Sequence, residues 1–344
     1  MTFREYCIGP NALVQEAMKR LDVIKPKILF VVDGDLLLGS LTDGDVRRFL
    51  LASGKLDDVV TKACQTTPLC ARNEAEAASL YSAKNYVAIP IINEKGEITD
   101  IFLGESKEEA HATDLGIPVV INAGGKGTRL DLFTKVLPKP LIPIGDYPII
   151  EHIMRRFREF GCDVFDIIVN YKKQLIKAYF SESENPYNIS WYDEEKPLGT
   201  GGGLCFLKGK LDKTFFFTNC DILITEDYEK ILKFHKEKHN AITMVCAYKN
   251  VLIPYGVIEI GEDGFIEEMK EKPELSFLTN TGMYLVEPEV LDIIEDNVSI
   301  GFPDVIKKAM AKGMKVSAYP ISGENWMDMG QLPELEKMYE RFAK

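Results

Sequence analysis

A glycine-rich segment in the middle of the chain is rich in basic residues. Residues 117–144 read IPVVINAGGKGTRLDLFTKVLPKPLIPI, with glycines at Gly124, Gly125 and Gly127. Glycine lacks a β-carbon, so backbone N–H groups in such a loop can approach an anion closely. The segment holds one acidic residue, Asp131, although the whole chain has 53 acidic and 41 basic residues. Its cations are Lys126, Arg129, Lys135 and Lys139. These residue types predict a phosphate site.

The elements on either side of this loop predict where it lies. The apolar run that starts at Ile117 predicts a buried parallel strand, and a helix pattern resumes at Pro148. The loop should therefore leave the carboxyl end of a strand, where ligands of α/β sheets bind. Two common phosphate motifs do not fit it. A P-loop has its lysine after the last glycine, whereas Lys126 precedes Gly127, and a dinucleotide fingerprint needs glycine where Leu130 stands. Neither an ATPase nor a dehydrogenase is expected.

The loop resembles the signature of the sugar-phosphate nucleotidyltransferases (NDP-sugar pyrophosphorylases), G-G-x-G-[ST]-R-L followed by P-K-[PQ]. The matching residues are 124–130 and 138–140. The resemblance implies catalytic roles for Arg129, Lys139 and, further along the chain, Asp221. It also implies a nucleotide site, whose residues in this first segment are Ala123, Gly124, Gly125, Gly127 and Thr128.

A second glycine-rich segment, residues 193–203, reads DEEKPLGTGGG and resembles the part of the same family that meets the nucleobase. The resemblance places Gly199 and Thr200 against the base. Glu194 stands where uridylyltransferases of the family often carry glutamine. A carboxylate accepts hydrogen bonds and guanine presents two adjacent donors, so Glu194 favours GTP. The alternative is that Glu194 and Glu195 are both solvated loop charges.

Two aspartates follow predicted strands. Asp221 follows the apolar strand 214–218, and Asp328, in the letters WMDMG, follows the strand 315–320. Both resemble the metal ligands of the family. Oxygen ligands from separate strands suit Mg²⁺, which keeps water and substrate phosphates in its other positions. The resemblance therefore implies Mg²⁺ as the cofactor.

A sugar-phosphate site is implied by three further resemblances to the family. The matching residues are Gly256 in PYGV, Glu271 and Lys272 in EKP, and Asn280 in NTGMY. The whole set implies attack of a sugar 1-phosphate oxygen on the α-phosphorus of a nucleoside triphosphate, with release of pyrophosphate. No protein nucleophile is needed, because such a transfer depends on alignment and charge neutralisation.

The first third of the chain has the order helix, strand, strand, helix. Its letters VVDGDLLLGSLTDGDVRRFLL resemble a CBS (cystathionine-β-synthase) motif, with Gly39, Thr42 and Asp45 at the positions that bind adenosine nucleotides in that family. Residues 68–103 resemble a second copy, in which Leu103 replaces the threonine. The resemblance implies an adenosine nucleotide effector at the first copy. The alternative is a pair used mainly for packing or dimerisation, and a homo-oligomer is expected.

Composition narrows the classes of partner. A formal net charge of −12 argues against nucleic acid and anionic membranes, which demand a basic surface. No apolar stretch approaches the roughly 18 residues of a membrane helix, and the first residues lack a signal core, so a cytoplasmic location is expected. The 7 cysteines never form C-x-x-C and should be reduced packing residues. His235 and His239 lie four apart, as zinc ligands can, but HKEKH lacks H-E-x-x-H, so a solvated helix face is expected.

Together these inferences predict an α/β protein. We expect a doubly wound, mostly parallel sheet of the GT-A-like nucleotidyltransferase kind at residues 115–344, preceded by a tandem CBS pair at 1–114 that begins with a helix capped by Asn11 and ends in a charged linker at 105–111. The chain also resembles the guanylyltransferases that act on glucosamine 1-phosphate in legionaminic-acid biosynthesis, which makes that sugar phosphate the expected substrate. The alternatives are a uridylyl- or cytidylyltransferase, a GT-A glycosyltransferase, and a non-catalytic nucleotide-sensing regulator.

Overall fold

A computed structural model describes residues 3–84, 88–104, 114–130, 134–182, 187–330 and 338. The chain forms two compact units. Unit 1 comprises Met1–Ala110 and Tyr248–Phe277, and unit 2 comprises His111–Ala247 and Leu278–Lys344. The boundary predicted between residues 114 and 115 stays a prediction, and the predicted linker at 105–111 lies outside the described residues.

Unit 1 contains the predicted order of helix, strand, strand and helix, which follows a short strand. Its first elements are β1 (Cys7–Ile8), α1 (Val14–Val23), β2 (Ile28–Asp33), β3 (Leu36–Thr42), α2 (Asp43–Leu51), α3 (Glu74–Lys84), β4 (Ala88–Ile92) and β5 (Ile98–Leu103). Strand β2 pairs parallel with β1 and antiparallel with β3, and β4 pairs antiparallel with β5. The buried side chains of α1 share one cluster with Leu29 and Val31 of β2, Leu41 of β3, Val46 and Val60.

The predicted cap at Asn11 is wrong. Helix α1 begins at Val14, and the residue before it, Leu13, makes no side-chain cap. Backbone carbonyls of another segment take that role, because the N–H groups of Val14 and Gln15 donate to Asp58 and to residue 56 at 2.9 and 3.0 Å. The first-turn N–H groups therefore have acceptors without a capping side chain.

The remaining elements follow in chain order. They are β6 (Val119–Ala123), β7 (Pro143–Ile144), β8 (Tyr147–Pro148), α4 (Ile149–Arg158), β9 (Val164–Val169), α5 (Lys173–Glu182), β10 (Asn188–Asp193), α6 (Gly199–Gly202), β11 (Phe215–Asn219), β12 (Ile222–Ile224), α7 (Tyr228–Lys238), β13 (Ile242–Leu252), β14 (Val257–Ile260), β15 (Ile266–Lys270), β16 (Glu274–Val286), α8 (Phe302–Ala311), β17 (Val316–Ile321) and β18 (Trp326–Asp328). Short 3₁₀ turns lie at Phe3–Tyr6, Val60–Lys62, Thr128–Leu130, Lys139–Leu141, Gly203–Leu207, Pro288–Ile293 and Gly323–Asn325.

A seven-stranded sheet organises unit 2, in the order β10-β9-β6-β11-β16-β13-β17. The first four strands are mutually parallel, β16 is antiparallel to β11, and β13 is parallel to β17. Successive residues of β6 enter different cores, because Val119 and Ile121 belong to one buried cluster and Val120 to another. Both faces of the strand are thus covered, as its unbroken apolar run requires. The predicted mostly parallel α/β sheet is confirmed.

The expectation of a solvated helix face is wrong for His235. Its side chain is 1% exposed; Nε2 lies 2.9 Å from an oxygen of Glu287, and Nδ1 lies 2.8 Å from the hydroxyl of Thr243. His239 is exposed and ends α7 in the left-handed conformation. A buried histidine between two hydrogen-bonding partners is a satisfied core residue rather than a metal ligand.

The remaining expectations concern metals, membranes and thiols. Among the described residues, no group of three or more histidines, cysteines and acids could hold a metal ion, and no helix is both long and apolar enough to cross a membrane. All seven cysteines are free, and four of them are buried.

Candidate active site

A polar cavity of about 230 Å³ lies where β6 and β11 end. Carboxyl ends of parallel strands point to one edge of a sheet, and the loops that leave them form its ligand sites. The residues that line the cavity are Asn122, Gly125, Gly127, Thr128, Lys139, Thr200, Asn219, Cys220 and Asp221. The structure therefore brings together the first glycine segment, the second glycine segment and one of the predicted metal ligands.

The glycines of the first segment differ in what surrounds them. Gly125 is exposed and has no atom within 4 Å of the position a β-carbon would take, so its backbone is open to a ligand. Gly127 adopts φ +68°, and a β-carbon there would lie 2.8 Å from Thr134 and 3.1 Å from Lys139. A side chain at Gly127 would therefore be strained and would push these neighbours aside. Ala123, the last residue of β6, is buried beneath the loop.

Glu194 lies under the first glycine segment and is 3% exposed. A β-carbon at Gly124 would lie 2.8 Å from Oε2 of Glu194, and one at Gly203 would lie 2.8 Å from Oε1. Burial raises the pKa of the Glu194 carboxyl to about 7, although a hydrogen bond from the Leu198 backbone lowers it. Oε1 has no hydrogen-bond partner. The alternative of a solvated charge is wrong for Glu194, while Glu195 is exposed.

Lys139 and Asp221 form the charged centre of the cavity. The ammonium of Lys139 donates to Oδ2 of Asp221, and the two side chains are 10% and 14% exposed. Lys139 follows Pro138 and is the first residue of a 3₁₀ turn, and Asp221 lies between β11 and β12. Two groups distant in sequence thus neutralise each other at the carboxyl edge of the sheet. A phosphate that entered the cavity would meet this lysine.

Asp221 and Asp328 approach each other across a strand pair. Strand β12 is antiparallel to β18, with Ile222 opposite Asp328, and the N–H of Met329 donates to the carbonyl of Asp221 at 3.1 Å. One oxygen of Asp328 accepts the N–H of Gly330 at 2.6 Å. The two carboxylates, on neighbouring segments of backbone, offer hard oxygen ligands. The ammonium of Lys139 pairs with Asp221, which shows that a positive charge can be bound at this carboxylate. These residues fit Mg²⁺.

The second glycine segment is held by backbone packing. Gly199 adopts φ +77°, and a β-carbon there would lie 2.6 Å from the carbonyl oxygen of Ile300. The hydroxyl of Thr200 accepts the N–H of Phe302 at 2.9 Å, while the Thr200 carbonyl accepts the side-chain amide of Asn122 at 3.4 Å. Both residues are exposed at the start of α6. Their backbone can therefore meet a planar ligand.

Three residues of the cavity were not predicted from the sequence. Asn122 is the residue before the last of β6 and pairs with Asn219, the last residue of β11, and Cys220 follows Asn219 directly. The available signal was a polar residue at the carboxyl end of each apolar strand. Burial, with Asp221 nearby, raises the pKa of the Cys220 thiol to about 12, so this thiol stays protonated and supplies no nucleophile.

The predicted sugar-site residues are divided between the two units. Gly256, Glu271 and Lys272 are exposed in unit 1, and a β-carbon at Gly256 would lie 3.1 Å from Oε2 of Glu271. Asn280 belongs to unit 2, where its amide donates to the hydroxyl of Tyr284 at 2.7 Å. Their role in sugar binding stays a prediction.

The predicted effector residues of unit 1 lie at the start of α2. Thr42 caps this helix, and one oxygen of Asp45 accepts both the N–H and the hydroxyl of Thr42, at 2.9 and 2.6 Å. A β-carbon at Gly39 would lie 2.7 Å from the carbonyl of Gln65. This capping box accounts structurally for Thr42 and Asp45. Nucleotide binding there stays a prediction, as does the catalytic role of Arg129, which lies in the turn Thr128–Leu130.

Comparison with known proteins places these observations in context. The family described as Nucleotidyl transferase matches residues 118–344. The chain is 33% identical over 232 residues to the bifunctional protein GlmU of Methanococcus maripaludis strain C7, covering 65% of this chain and 54% of that protein. It is 31% identical over 221 residues to the probable mannose-1-phosphate guanylyltransferase 2 of Oryza sativa subsp. japonica, covering 62% and 61%. It thus spans only about half to three-fifths of these relatives.

A solved structure shares its fold with about two thirds of the chain. HddC from Yersinia pseudotuberculosis superposes with a TM-score of 0.53 at 23% identity, covering 66% of this chain and 99% of that one.

Proposed function

Because the chain belongs to the nucleotidyl transferase family, we propose that it condenses a nucleoside triphosphate with a sugar 1-phosphate to give an NDP-sugar and pyrophosphate. The observation that carries this proposal is the cavity in which an open glycine backbone at Gly125 meets the Lys139–Asp221 ion pair. Backbone donors and one buried cation suit a triphosphate tail, and a carboxylate beside them suits the metal that accompanies it.

The chain's own residues would act by alignment and charge. A phosphate oxygen of the sugar 1-phosphate attacks the α-phosphorus, the bond to the bridging oxygen breaks, and pyrophosphate leaves. Lys139 would neutralise charge that develops around the α-phosphorus, and backbone N–H groups near Gly125 would hold the leaving phosphates. Cys220 is protonated and the attack is direct, so no covalent enzyme intermediate forms. We assign Arg129 a role like that of Lys139.

A magnesium ion would be held by Asp221 and Asp328. When bound, it would supply positive charge that offsets the negative charge of the phosphates. Lys139 pairs with Asp221 in the structure described here. We propose that the lysine is thereby kept near the site where phosphates arrive and transfers its hydrogen bonds to them as they bind. The test is Asp221→Asn, which should lower kcat by about 100-fold or more. Because the change leaves Lys139 without its charged partner, kcat is measured at a temperature at which circular dichroism shows the variant folded.

We propose guanine as the base. Glu194 stands where uridylyltransferases of the family often carry glutamine, and a carboxylate can only accept hydrogen bonds. Guanine offers two adjacent donors, N1–H and the N2 amine, whereas uracil offers one donor between two carbonyl oxygens. Mannose-1-phosphate guanylyltransferases among the relatives support the same base. Since the pKa of Glu194 is about 7, GTP should bind more tightly as the pH rises through neutrality and the carboxylate ionises.

For the sugar we propose glucosamine 1-phosphate. The support is the resemblance of the segments that hold Gly256, Glu271, Lys272 and Asn280 to the sugar-binding segments of the family. A panel that crosses four nucleoside triphosphates with common hexose and hexosamine 1-phosphates, measured by pyrophosphate release, tests base and sugar together. Faster turnover with UTP or CTP than with GTP would overturn the guanine proposal.

The same assay separates the other classes of function. A glycosyltransferase would consume an NDP-sugar and release no pyrophosphate from a nucleoside triphosphate. A non-catalytic regulator would bind nucleotide without turnover.

For unit 1 we propose an adenosine nucleotide site of the CBS kind at Gly39, Thr42 and Asp45. Helix α2 starts at this point, and a helix start with a hydroxyl and backbone N–H groups suits a phosphate. Calorimetry with an adenosine nucleotide should give one site per chain that Thr42→Val together with Asp45→Asn abolishes. Two equivalent sites, or none, would contradict this assignment.

A further inference from the structure

Lys172 holds three consecutive backbone carbonyls of the phosphate loop. Its ammonium donates to the carbonyl oxygens of Thr134, Lys135 and Val136 at 3.2, 2.6 and 2.8 Å. An ammonium has three N–H donors, so these acceptors use all of them. Thr134 is helical and the next two residues form a turn, so the three carbonyls belong to one short stretch of backbone.

The same loop segment is tied to the glycine turn. The hydroxyl of Thr134 lies 3.1 Å from the carbonyl oxygen of Gly127 and 3.2 Å from that of Leu130, and the side chain is 3% exposed. From the other side, the hydroxyl of Tyr171 donates to the carbonyl of Thr134 at 3.3 Å. Lys172 is therefore connected through Thr134 to Gly127, which lines the cavity.

The backbone of Lys172 is itself unusual. It adopts φ +51°, between β9 and α5. This left-handed conformation costs a residue with a β-carbon about 1–2 kcal/mol, and it persists where surrounding contacts hold it. Here the three carbonyls provide those contacts.

We propose that Lys172 is a positioning residue for nucleotidyl transfer. It fixes residues 134–136, and through them the Gly127 turn and Lys139, in the geometry that the phosphates require. The phosphates would not meet its ammonium directly, because all three of its donors are engaged. This inference rests on the proposed function, since Lys139 needs exact placement only if charge develops beside it.

The first test is steady-state kinetics of Lys172→Met, which keeps the length of the side chain and removes its donors. We expect kcat to fall about 10- to 100-fold, as small misplacements of catalytic groups do, with the KM of each substrate changed by less than about threefold. Lys173→Met is the matched control, because Lys173 pairs with Asp193 at 3.3 Å and the charge change is the same. It should keep kcat within about twofold of wild type.

Lys172→Arg separates a positioning role from a charge effect. A planar guanidinium keeps the charge but cannot direct three donors to three converging carbonyls, so kcat should recover only in part. Full recovery in Lys172→Arg, or a raised KM for the nucleoside triphosphate at unchanged kcat, would overturn the proposal and indicate a phosphate-binding cation. An unchanged kcat in Lys172→Met would also overturn it.

Limited proteolysis tests the contact without any assay of activity. Trypsin cleaves after lysine, and the Lys135 carbonyl that Lys172 holds is the one trypsin must attack. Cleavage between Lys135 and Val136 should be about tenfold faster in Lys172→Met, because the open form of the loop becomes more populated. Cleavage between the exposed Lys312 and Gly313 is the internal control and should keep its wild-type rate. Unchanged cleavage at Lys135, or an equal increase at Lys312, would overturn the proposal. A wild-type protein without transferase activity would refute the proposed function, while proteolysis would still decide whether Lys172 holds the loop.

Discussion

Glu194→Gln should change how the stability of the protein depends on pH. Burial raises the pKa of Glu194 from 4.5 to about 7. Between these two values the folded chain binds more protons than the unfolded chain, so stability falls as the pH rises. The contribution of the protonated carboxyl is fully present below the unfolded pKa and is lost as the pH approaches the folded pKa. Glutamine is neutral and lacks this dependence.

The size of the effect follows from the two pKa values. The difference between the two pKa values lowers the free energy of unfolding of the wild type by about 3 kcal/mol at high pH, and about 2.5 kcal/mol of this loss should develop between about pH 5 and pH 8. The free energy of unfolding of Glu194→Gln should therefore rise by about 2.5 kcal/mol relative to that of the wild type over this pH range. Urea unfolding at both pH values measures it, and fluorescence reports on unit 2 because Trp191 and Trp326 both lie there.

The control is Glu195→Gln, which makes the same charge change at the exposed neighbour. Its stability relative to wild type should change by less than about 0.5 kcal/mol over the same range. Parallel pH profiles for wild type and Glu194→Gln would show that the carboxyl is not desolvated in the folded state, and the reasoning about its burial and its orphaned oxygen would be refuted.

Three further predictions concern stability. Lys139→Met leaves Asp221 buried without its partner, so it should lower the free energy of unfolding in urea by about 3–5 kcal/mol. Lys208→Met breaks a pair with the exposed Asp296 and should lower the same quantity by less than about 1 kcal/mol. Equal losses in the two variants would contradict the burial of the first pair. Gly199→Ala should lower the thermal midpoint more than Gly209→Ala does. Both glycines have positive φ, but only alanine at position 199 would place a β-carbon against a carbonyl oxygen. Equal midpoints for the two variants would rule out that close approach. The hydrogen bond from His235 holds the pKa of Glu287 below 4.5, so its contribution is present above about pH 4.5 and lost as the pH falls through the lowered value. Glu287→Gln should therefore flatten the acid side of the stability profile, and an unaltered acid limb would argue against this contact.

Much of the fold could be predicted because local patterns and tertiary structure agree. The apolar run of β6 lies between two cores, as predicted for a buried parallel strand. The start of α1 was missed because its first N–H groups are satisfied by a segment more than forty residues away, which no local pattern announces.

The candidate site was predictable where a motif carries the chemistry. Lys139 and Asp221 were both selected from their segments, and the structure joins them in one ion pair. The burial of Glu194 and the role of Lys172 were not predictable, because each depends on glycines or carbonyls that only the tertiary structure brings near. His235 was misjudged because its charged sequence neighbours face solvent while its own ring points into the core.

Direct detection of the products tests the central claim. Wild-type protein incubated with GTP, glucosamine 1-phosphate and Mg²⁺, and analysed by mass spectrometry and phosphorus NMR, should form a nucleoside-diphosphate sugar and pyrophosphate in equal amounts, and Asp221→Asn should form at most about a hundredth as much in the same time. If wild type forms neither product with any nucleoside triphosphate and sugar 1-phosphate, or if Asp221→Asn matches wild type, nucleotidyl transfer at the Lys139–Asp221 cavity is contradicted.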